Sequence, residues 1–383
     1  MIKRFAVKNY KNFKNEIELD FSKVGSYRFS TNCLYNNLIA KLLIYGRNAT
    51  GKTNFVNAIS DVKQLIWEAG KVDETPILNA ESNQTTVDYS YTFLINREEL
   101  TYNYSRQQSG RLSYEELSMN GILVYYCDFL NNKFEFPRLD LIQGEGLNKD
   151  SYIEPLKKRG LFSLAVGYTI PFLRWAFSNT VMEAQSILGS LLYDIVGIYV
   201  VLAHDIRHSS NKKDIDSFYE MLKDKEQLNR FESFLNEMGV ECKLKLEPLP
   251  DGKNELYFDY GKLVPFYPTA SSGTLALTNL YRKIFIDNAI LSVLMIDEFD
   301  AFYHYEMSEK LVRYIINNYR NVQVLMTTHN TNLMSNSLLR PDCLFILSRD
   351  GRLTPLNSAT QREIREGHNL EKMYISGEFA KYE

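Results

Sequence analysis

The first third of the chain alternates between patterns typical of strands and a pattern typical of a helix. Residues 2–7 and 16–21 alternate apolar and polar positions, which predicts two strands joined by a polar turn. The apolar run 42–45 predicts a short buried strand, and a glycine-bounded loop follows it. Beyond the loop, apolar side chains recur at the spacing of an amphipathic helix: Phe55, Ile59, Val62 and Ile66. This order is the opening expected of an α/β fold.

The pattern changes twice further along the chain. Residues 85–136 alternate and are rich in tyrosine, which predicts an antiparallel lobe built of hairpins. From 150 to 239 the period is helical, and Pro171 is expected to end or kink one helix. Residues 243–260 predict another hairpin, with its turn at 250–252. In the last third, three apolar runs predict buried strands: 291–296, 322–326 and 343–347.

One apolar segment has about the length of a membrane span. Residues 186–203 are nearly uncharged, but Asp194 lies in their middle and no positive flank marks an orientation. We therefore interpret the segment as a buried helix of the globule and expect no membrane association.

Charge and cysteine content narrow the expected partners and location. The net charge of −3 gives no field over the whole molecule that would draw it to nucleic acid or acidic lipid, although a local basic groove stays possible. The first residues lack the apolar region of a secretion signal. The four cysteines lie far apart without a C-x-x-C pair, which predicts reduced thiols and a cytoplasmic location: Cys33, Cys127, Cys242 and Cys343.

The glycine-bounded loop carries the first candidate chemistry. It satisfies the pattern G-x-x-x-x-G-K-[ST] with Gly46, Arg47, Asn48, Ala49, Thr50, Gly51, Lys52 and Thr53. Glycines let backbone N–H groups turn toward a phosphate, and the helix that follows directs its positive end at it. We expect Lys52 to reach the β- and γ-phosphates of ATP and Thr53 to bind Mg²⁺. The alternative is an ordinary glycine turn before a helix.

Two adjacent carboxylates follow the predicted strand 291–296. Strand ends are where ligands bind in an open α/β sheet, so Asp297 is a candidate Mg²⁺ ligand. Glu298 is a candidate catalytic residue that orients and polarises the attacking water. The alternative is a pair of surface carboxylates that cap a strand.

Three further groups of residues are candidate functional residues. His329 follows the strand 322–326 and is a candidate catalytic sensor of the γ-phosphate, the alternative being an ordinary loop histidine. Ser272 and Gly273 precede an amphipathic helix, and local chemistry alone would make them a helix cap. His204 and His208 could bind a metal, or could lie on a polar helix face.

Taken together, these motifs resemble the ABC-type ATPase superfamily. Within it, the chain looks like the compact bacterial ATP-binding proteins grouped as AAA-type but built like SMC and overcoming-lysogenization-defect heads. Besides the motifs above, the resemblance rests on the segments 9–13 (NYKNF), 264–265 (VP) and His304, and on the tail 367–377. It implies an α/β fold of the P-loop NTPase type, with a mixed central sheet, an antiparallel β lobe and a helical lobe.

The resemblance also organises the chain into four parts. We expect the ATPase core to be split around an insertion, as follows: 1–84, the N-terminal part of the core with the P-loop; 85–149, the antiparallel β lobe; 150–239, the helical lobe; and 240–383, the C-terminal part of the core with the signature, the Walker B strand and the histidine switch.

Finally, the resemblance implies an ATP- and Mg²⁺-dependent ATPase. Two heads would pair head to tail, with each ATP held between one P-loop and the Ser272–Gly273 signature of the other copy, so that the chain is at least a homodimer. The leading hypothesis is regulation of a separately encoded effector protein in anti-phage defence. One alternative is an SMC-like ATPase of DNA repair that binds nucleic acid through the basic runs 157–159 and 212–213. Another is a nucleotide-dependent scaffold with negligible hydrolysis.

Overall fold

The computed structural model contains eleven α-helices and eighteen strands within the residues that it describes. Those residues are 1–68, 76–142, 147–158, 170–207, 212–250, 252–285 and 290–383. The helices are α1 Lys52–Ile66, α2 Lys149–Lys158, α3 Phe172–Asn179, α4 Ile187–Val196, α5 Ala203–Arg207, α6 Lys212–Leu222, α7 Lys225–Glu237, α8 Phe266–Thr269, α9 Ser272–Phe285, α10 Tyr305–Asn318 and α11 Leu370–Ile375.

The strands fall into two large sheets and two small ones. They are β1 Ile2–Lys8, β2 Ile17–Asp20, β3 Leu34–Tyr35, β4 Leu38–Ile39, β5 Lys41–Tyr45, β6 Thr86–Ile95, β7 Glu98–Gln107, β8 Leu112–Met119, β9 Ile122–Asp128, β10 Lys133–Glu135, β11 Ile198–Val201, β12 Leu244–Pro248, β13 Asn254–Asp259, β14 Leu263–Pro265, β15 Val293–Ile296, β16 Gln323–Thr328, β17 Leu344–Leu347 and β18 Leu353–Pro355.

A six-stranded sheet forms the centre of the molecule, in the order β11-β15-β16-β5-β17-β18. The first five strands are parallel and β18 is antiparallel, so the predicted mixed central sheet is confirmed. Strands β5, β15, β16 and β17 are buried along their whole length. Parallel strands covered on both faces have nearly continuous apolar sequences, which is why the runs in the sequence predicted these four strands.

The predicted buried helix at 186–203 is wrong over its second half. Helix α4 ends at Val196, and Ile198–Val201 forms the edge strand β11, which pairs in parallel with β15. Gly197 allows the change because a Cβ there would lie 2.7 Å from the backbone nitrogen of Ser292. That nitrogen donates to the Gly197 carbonyl across 2.9 Å and joins the edge strand to the sheet. Within the described ranges, no helix is long and apolar enough to cross a membrane.

The predicted antiparallel lobe is a seven-stranded sheet, in the order β10-β9-β8-β7-β6-β1-β2. We call it the hairpin sheet. Strands β1 and β2 belong to it, so it joins the N-terminal strands to the region predicted as a separate lobe. Its aromatic side chains pack on α1: the ring of Phe5 lies 5.7 Å from that of Phe55, and Tyr91 donates a 2.8 Å hydrogen bond to the Ala58 carbonyl.

The remaining elements largely follow the predicted pattern. The hairpin at 243–260 is present as β12 and β13, although Asp251 in its turn lies outside the described residues. The expectation that Pro171 ends or kinks a helix is wrong: Pro171 occupies the N-cap of α3, where a helix begins, and a proline fits there because the first N–H groups of a helix lack partners within it. Helices α2 to α7 supply the helical part of 150–239, which β11 interrupts.

Candidate nucleotide-binding site

The P-loop lies between β5 and α1, and both of its glycines meet close neighbours. A Cβ on Gly46 would lie 2.6 Å from the Thr50 hydroxyl and 3.1 Å from the Leu347 carbonyl. Gly51 has a φ of 100°, and a Cβ there would lie 2.3 Å from the amide nitrogen of Asn12. Only glycine fits both requirements at that position. The loop residues Arg47, Asn48 and Ala49 are exposed, so the loop presents its outer turn to solvent.

Lys52 begins α1 and directs its ammonium group into the loop. Its Nζ donates to the Gly46 carbonyl across 2.8 Å and to the Arg47 carbonyl across 3.2 Å. Burial lowers the pKa of Lys52, and the charges of Glu298, Asp297 and Asp300 oppose this effect. The ammonium group is therefore held among the loop carbonyls and near three carboxylates, where phosphate oxygens could accept its hydrogen bonds.

Thr53 and Asp297 meet between the P-loop and the end of β15. The Thr53 hydroxyl donates to Asp297 Oδ2 across 2.6 Å, and the Thr327 hydroxyl donates to Asp297 Oδ1 across 2.6 Å. Asp297 is buried, whereas Thr53 is exposed at the mouth of the site. A hydroxyl and a carboxylate side by side are oxygen ligands of the kind that Mg²⁺ takes beside phosphate and water. The residues present therefore fit this ion.

Glu298 adopts an unusual backbone conformation. Its φ is 47°, in the left-handed region that costs a non-glycine residue about 1–3 kcal/mol and that is common at functional sites. Its backbone N–H donates to the Thr327 hydroxyl across 2.8 Å, which holds this conformation in place. The charge of its half-buried side chain opposes the lowering of the Lys52 pKa by burial, so the two charges lie within electrostatic reach of each other.

His329 lies exposed one residue beyond β16. The preceding residue, Thr328, donates its hydroxyl to Asp300 Oδ2 across 2.7 Å and accepts a 2.9 Å hydrogen bond from the Asn330 backbone. Burial raises the pKa of Asp300, while the Thr328 hydrogen bond and the charge of His329 lower it. Asp300 thus connects the acidic end of β15 to Thr328, whose hydroxyl also holds the backbone just beyond His329.

Ser272 and Gly273 form the first turn of α9. The Ser271 hydroxyl accepts a 3.1 Å hydrogen bond from the Thr274 backbone and closes this turn. Ser272 is exposed, and a Cβ placed on Gly273 would lie 3.7 Å from the Phe302 carbonyl and 3.9 Å from the Ser271 hydroxyl, at ordinary contact distance. Within the part of the chain that the structure describes, no hydrogen bond connects Ser272 or Gly273 to the P-loop.

Two residues that support the site were not singled out from the sequence. Asn12 donates to the Thr50 carbonyl across 3.0 Å and accepts from Asn54 across 2.7 Å, so it braces the P-loop. The Thr327 hydroxyl donates to the Asp297 carboxylate and accepts from the Glu298 backbone. Asn12 lies in the segment 9–13 that carried the family resemblance, and Thr327 lies two residues before His329. The sequence shows both residues, but not the contacts through which they support the site.

The P-loop helix is also fixed to the hairpin sheet by a buried carboxylate. Asp61, in the middle of α1, accepts a 2.8 Å hydrogen bond from the Tyr104 hydroxyl and a longer one, 3.4 Å, from Tyr89. Arg106 forms an ion pair with the same carboxylate. The position of α1, and with it of Lys52, therefore depends on strands β6 and β7.

Several other candidate residues lie wholly or partly outside the described part of the chain. His204 lies 3.4 Å from Asp205, and its proposed partner His208 lies outside the described residues. The same is true of Arg159, and the side chains of the basic residues 157–158 and 212–213 are likewise not described.

Comparison with known proteins gives one family match. Residues 42–335 match the family described as "AAA domain, putative AbiEii toxin, Type IV TA system". This stretch contains the P-loop, Ser272 and Gly273, Asp297, Glu298 and His329. A search of curated proteins found no match.

Solved structures of SMC heads are similar at low identity. They are the Smc head bound to the C-winged helix domain of ScpA (13% identity, 90% of this chain and 93% of the other covered, TM-score 0.46), the SMC head domain of Thermotoga maritima (15%, 92% and 98%, 0.42), and the Smc head with an extended coiled coil bound to the C-terminal domain of ScpA, from Pyrococcus furiosus (13%, 90% and 92%, 0.43). Likenesses this remote carry no argument about activity or partners.

Proposed function

The chain belongs to this AAA-domain family of P-loop ATPases, and we propose that it binds ATP together with Mg²⁺ and hydrolyses it. The observation that carries the proposal is the 2.6 Å contact between Thr53 and Asp297, because it joins the P-loop to the acidic end of β15. A phosphate-binding loop alone could hold many anions. A loop whose hydroxyl meets a buried carboxylate is suited to a phosphate–metal pair.

Binding would use the loop backbone and Lys52. The N-terminus of α1 directs its unpaired N–H groups and its positive dipole end at the phosphates. Lys52 would exchange the carbonyls of Gly46 and Arg47 for phosphate oxygens, an exchange that keeps its ammonium hydrogen-bonded throughout. Burial lowers the pKa of Lys52. The negative charge of a bound phosphate would raise it again and so favour the protonated form.

Thr53 and Asp297 would hold the metal ion. When bound, Mg²⁺ supplies positive charge that offsets the charge on the β- and γ-phosphates. Glu298 would hold and polarise the attacking water, since it directly follows Asp297 at the end of β15, where Thr53 meets the acidic residues. Thr327 keeps Asp297 and Glu298 in register, and His329 would contact the γ-phosphate from the neighbouring strand.

The active unit that we propose is a head-to-tail dimer. Arg47, Asn48 and Ala49 are exposed on one side of the P-loop, and Ser272 is exposed at the beginning of α9. Neither surface alone encloses a triphosphate. ATP held between the P-loop of one copy and Ser272–Gly273 of the other would favour the closed dimer, and loss of the γ-phosphate would weaken it.

Our proposal extends to what the ATPase controls. We suggest that opening and closing of the dimer regulates a separately encoded effector, as the resemblance to anti-phage systems implies. The purified chain itself should then have no nuclease activity. Nuclease activity that co-purifies with the ATPase through successive columns and disappears in a Lys52→Ala variant would contradict the separate effector.

The activity is tested by phosphate release from ATP. We expect release by the purified chain that requires Mg²⁺, stops on chelation, and falls at least about 100-fold in Asp297→Asn. Asp350→Asn removes a carboxylate from an exposed turn and serves as the matched control. Release that persists in EDTA, or that is equal in both variants, would disprove the proposed site.

A further inference from the structure

Two buried thiols touch each other away from the nucleotide site. The sulfur atoms of Cys33 and Cys343 lie 3.3 Å apart, although the two residues are 310 positions apart in the chain. Neither side chain is exposed to solvent. Cys33 Sγ also lies 2.9 Å from the Ser30 carbonyl, to which its thiol can donate. The two sulfurs are thus already neighbours while both residues are free thiols.

The thiols belong to two segments that each contact the chain around β5, the strand that leads to the P-loop. The Cys33 carbonyl accepts a 2.8 Å hydrogen bond from Ala40, the residue before β5. Cys343 directly precedes β17, whose Leu344 pairs with Leu43 of β5. A bond between the two sulfurs would therefore link the segments that flank β5.

The surroundings of the pair carry excess positive charge. Arg340 and Asp342 form a fully buried ion pair, with Nη2 and Oδ2 2.7 Å apart. Lys41 lies near both sulfurs, but its Nζ donates to the Val322 carbonyl across 2.8 Å. Burial lowers the pKa of Lys41 to about 8, so below that pH two buried cations face one carboxylate. A thiolate is the charge that would balance them.

The acidities of the four thiols agree with this arrangement. The hydrogen bond with Cys343 and the nearby Arg340 lower the pKa of Cys33, whereas burial raises the pKa of Cys343. Burial also raises the pKa of Cys127, and it raises that of Cys242 to about 11. Cys33 is the one thiol of the four whose ionisation its surroundings favour.

We propose that Cys33 and Cys343 form a redox-sensitive pair that a peroxide converts to a disulfide. The Cys33 thiolate attacks one peroxide oxygen, the O–O bond breaks, and water leaves after protonation, so that Cys33 becomes a sulfenic acid. The Cys343 sulfur then attacks the Cys33 sulfur, the S–O bond breaks, and a second water leaves. Two thiols and one hydrogen peroxide give one disulfide and two waters, and the peroxide is the species reduced.

Access to Cys33 requires only local opening. Cys33 ends a single 3₁₀ turn, Thr31–Cys33, whose first two residues are exposed. Short surface turns open far more often than the whole protein unfolds. Peroxide can therefore reach the sulfur from a natively folded chain, more slowly than it would reach an exposed thiol.

The test is a thiol count on the full chain after treatment with hydrogen peroxide. We expect the four thiols titrated in denaturant to fall to two, with the Cys33 and Cys343 peptides joined and dithiothreitol restoring all four. The oxidised form should melt at a higher temperature, because the link constrains the unfolded chain over a very long loop. Cys127→Ser and Cys242→Ser should keep the linked peptide, whereas Cys33→Ser and Cys343→Ser should lose it.

Peptide mapping of the unmutated chain shows which cysteines are linked, even if a serine variant fails to fold. Retention of all four thiols under peroxide, a linkage between other cysteines, or sulfinic acid at Cys33 in place of the disulfide would each overturn the proposal. None of these readings depends on ATP hydrolysis, so the pair can fail while the ATPase proposal stands, and the reverse also holds.

Discussion

The hydroxyl of Thr53 lies 2.6 Å from the carboxylate of Asp297, and this hydrogen bond connects residues 244 positions apart. One belongs to the helix after β5 and the other to the end of β15, with β16 between those strands in the sheet. The parallel direction of the three strands brings their carboxyl ends to the same edge. The predicted meeting of phosphate-binding and acidic motifs follows from that geometry.

Removal of the Lys52 ammonium should weaken ATP binding. Hydrogen bonds from a charged donor contribute about 1.5–3 kcal/mol each, so Lys52→Ala should lower ATP affinity by about 10- to 100-fold or more. Equilibrium binding of a labelled nucleotide measures this change. Lys63→Met removes another half-buried lysine of α1, whose Nζ donates to the Ile198 carbonyl, and should leave affinity nearly unchanged. Equal losses in both variants would mean that the helix, and not the ammonium group, matters.

Glu298→Gln should separate binding from turnover. The amide cannot polarise water as a carboxylate does, so turnover should fall by about 100-fold or more while ATP affinity is kept. Closed dimers should then accumulate and appear as a doubled mass in solution when ATP is added. Glu306→Gln, in the first turn of α10, is the control. Rapid hydrolysis by Glu298→Gln would remove this residue from the catalytic role.

Ser272→Arg should block pairing without affecting the single head. A bulky cation at the exposed start of α9 would collide with a second copy, whereas the P-loop of the same copy stays intact. We expect normal ATP binding at low protein concentration and no ATP-driven increase in mass. Ser178→Arg, on the exposed end of α3, controls for added charge and bulk. ATP-driven pairing that is unchanged in Ser272→Arg would show that the signature lies elsewhere.

Loss of the Asn12 amide should weaken nucleotide binding moderately. The amide holds the Thr50 carbonyl, so Asn12→Ala would loosen the P-loop and cost about 1 kcal/mol, or about fivefold in ATP affinity. Asn15→Ala changes an exposed residue of the same turn and should have no effect. Calorimetric titration with a slowly hydrolysed ATP analogue distinguishes the two. If Asn15→Ala weakens binding as much as Asn12→Ala, the turn as a whole is responsible.

The pH dependence of stability should reveal a buried carboxyl in the hairpin sheet. Burial raises the pKa of Glu115 to about 7, opposed by hydrogen bonds from the Phe172 backbone and the Tyr102 hydroxyl. The folded state therefore holds a proton that the unfolded chain releases above its lower pKa of about 4.5. Stability from this group is complete at low pH and declines until about pH 7. Between pH 4.5 and pH 7, the free energy of unfolding should fall by about 3 kcal/mol because of this one proton.

Glu115→Gln should remove this decline. Chemical denaturation at pH 5 and pH 7 would show the difference in the free energy of unfolding shrinking in this variant. Glu116→Gln alters the next residue, whose carboxylate accepts a hydrogen bond from Asn103, and should keep the pH dependence of the unmutated chain. A decline that survives in Glu115→Gln would assign the proton to another group.

Elements determined by their own residues could be predicted from the sequence, whereas an element that depends on long-range pairing could not. The P-loop, α1 and the four central strands each have a pattern that their own residues determine. The segment Ile198–Val201 could not be assigned, because a short apolar run without periodicity fits a buried helix and a buried strand equally well. Its pairing with β15 decides between them, and that contact is visible only in the folded chain.

The site shows the same division. Residues 46–53, Asp297 and His329 belong to motifs with fixed spacing, so their chemistry could be predicted. Asn12 and Thr327 act through contacts with residues distant in the sequence, the Thr50 carbonyl and the Asp297 carboxylate. An asparagine in a turn and a threonine in a strand have many ordinary explanations. Only the distances distinguish them.

In the proposed ATPase, Asp61 would couple the hairpin sheet to the affinity for ATP. Because its carboxylate holds Tyr104 and Arg106 of β7, any ligand that tilts this sheet must either break those contacts or carry α1 with it. A molecule bound far from the phosphates would then alter how tightly ATP is held. By thermodynamic reciprocity, ATP would change the affinity for that molecule by the same factor.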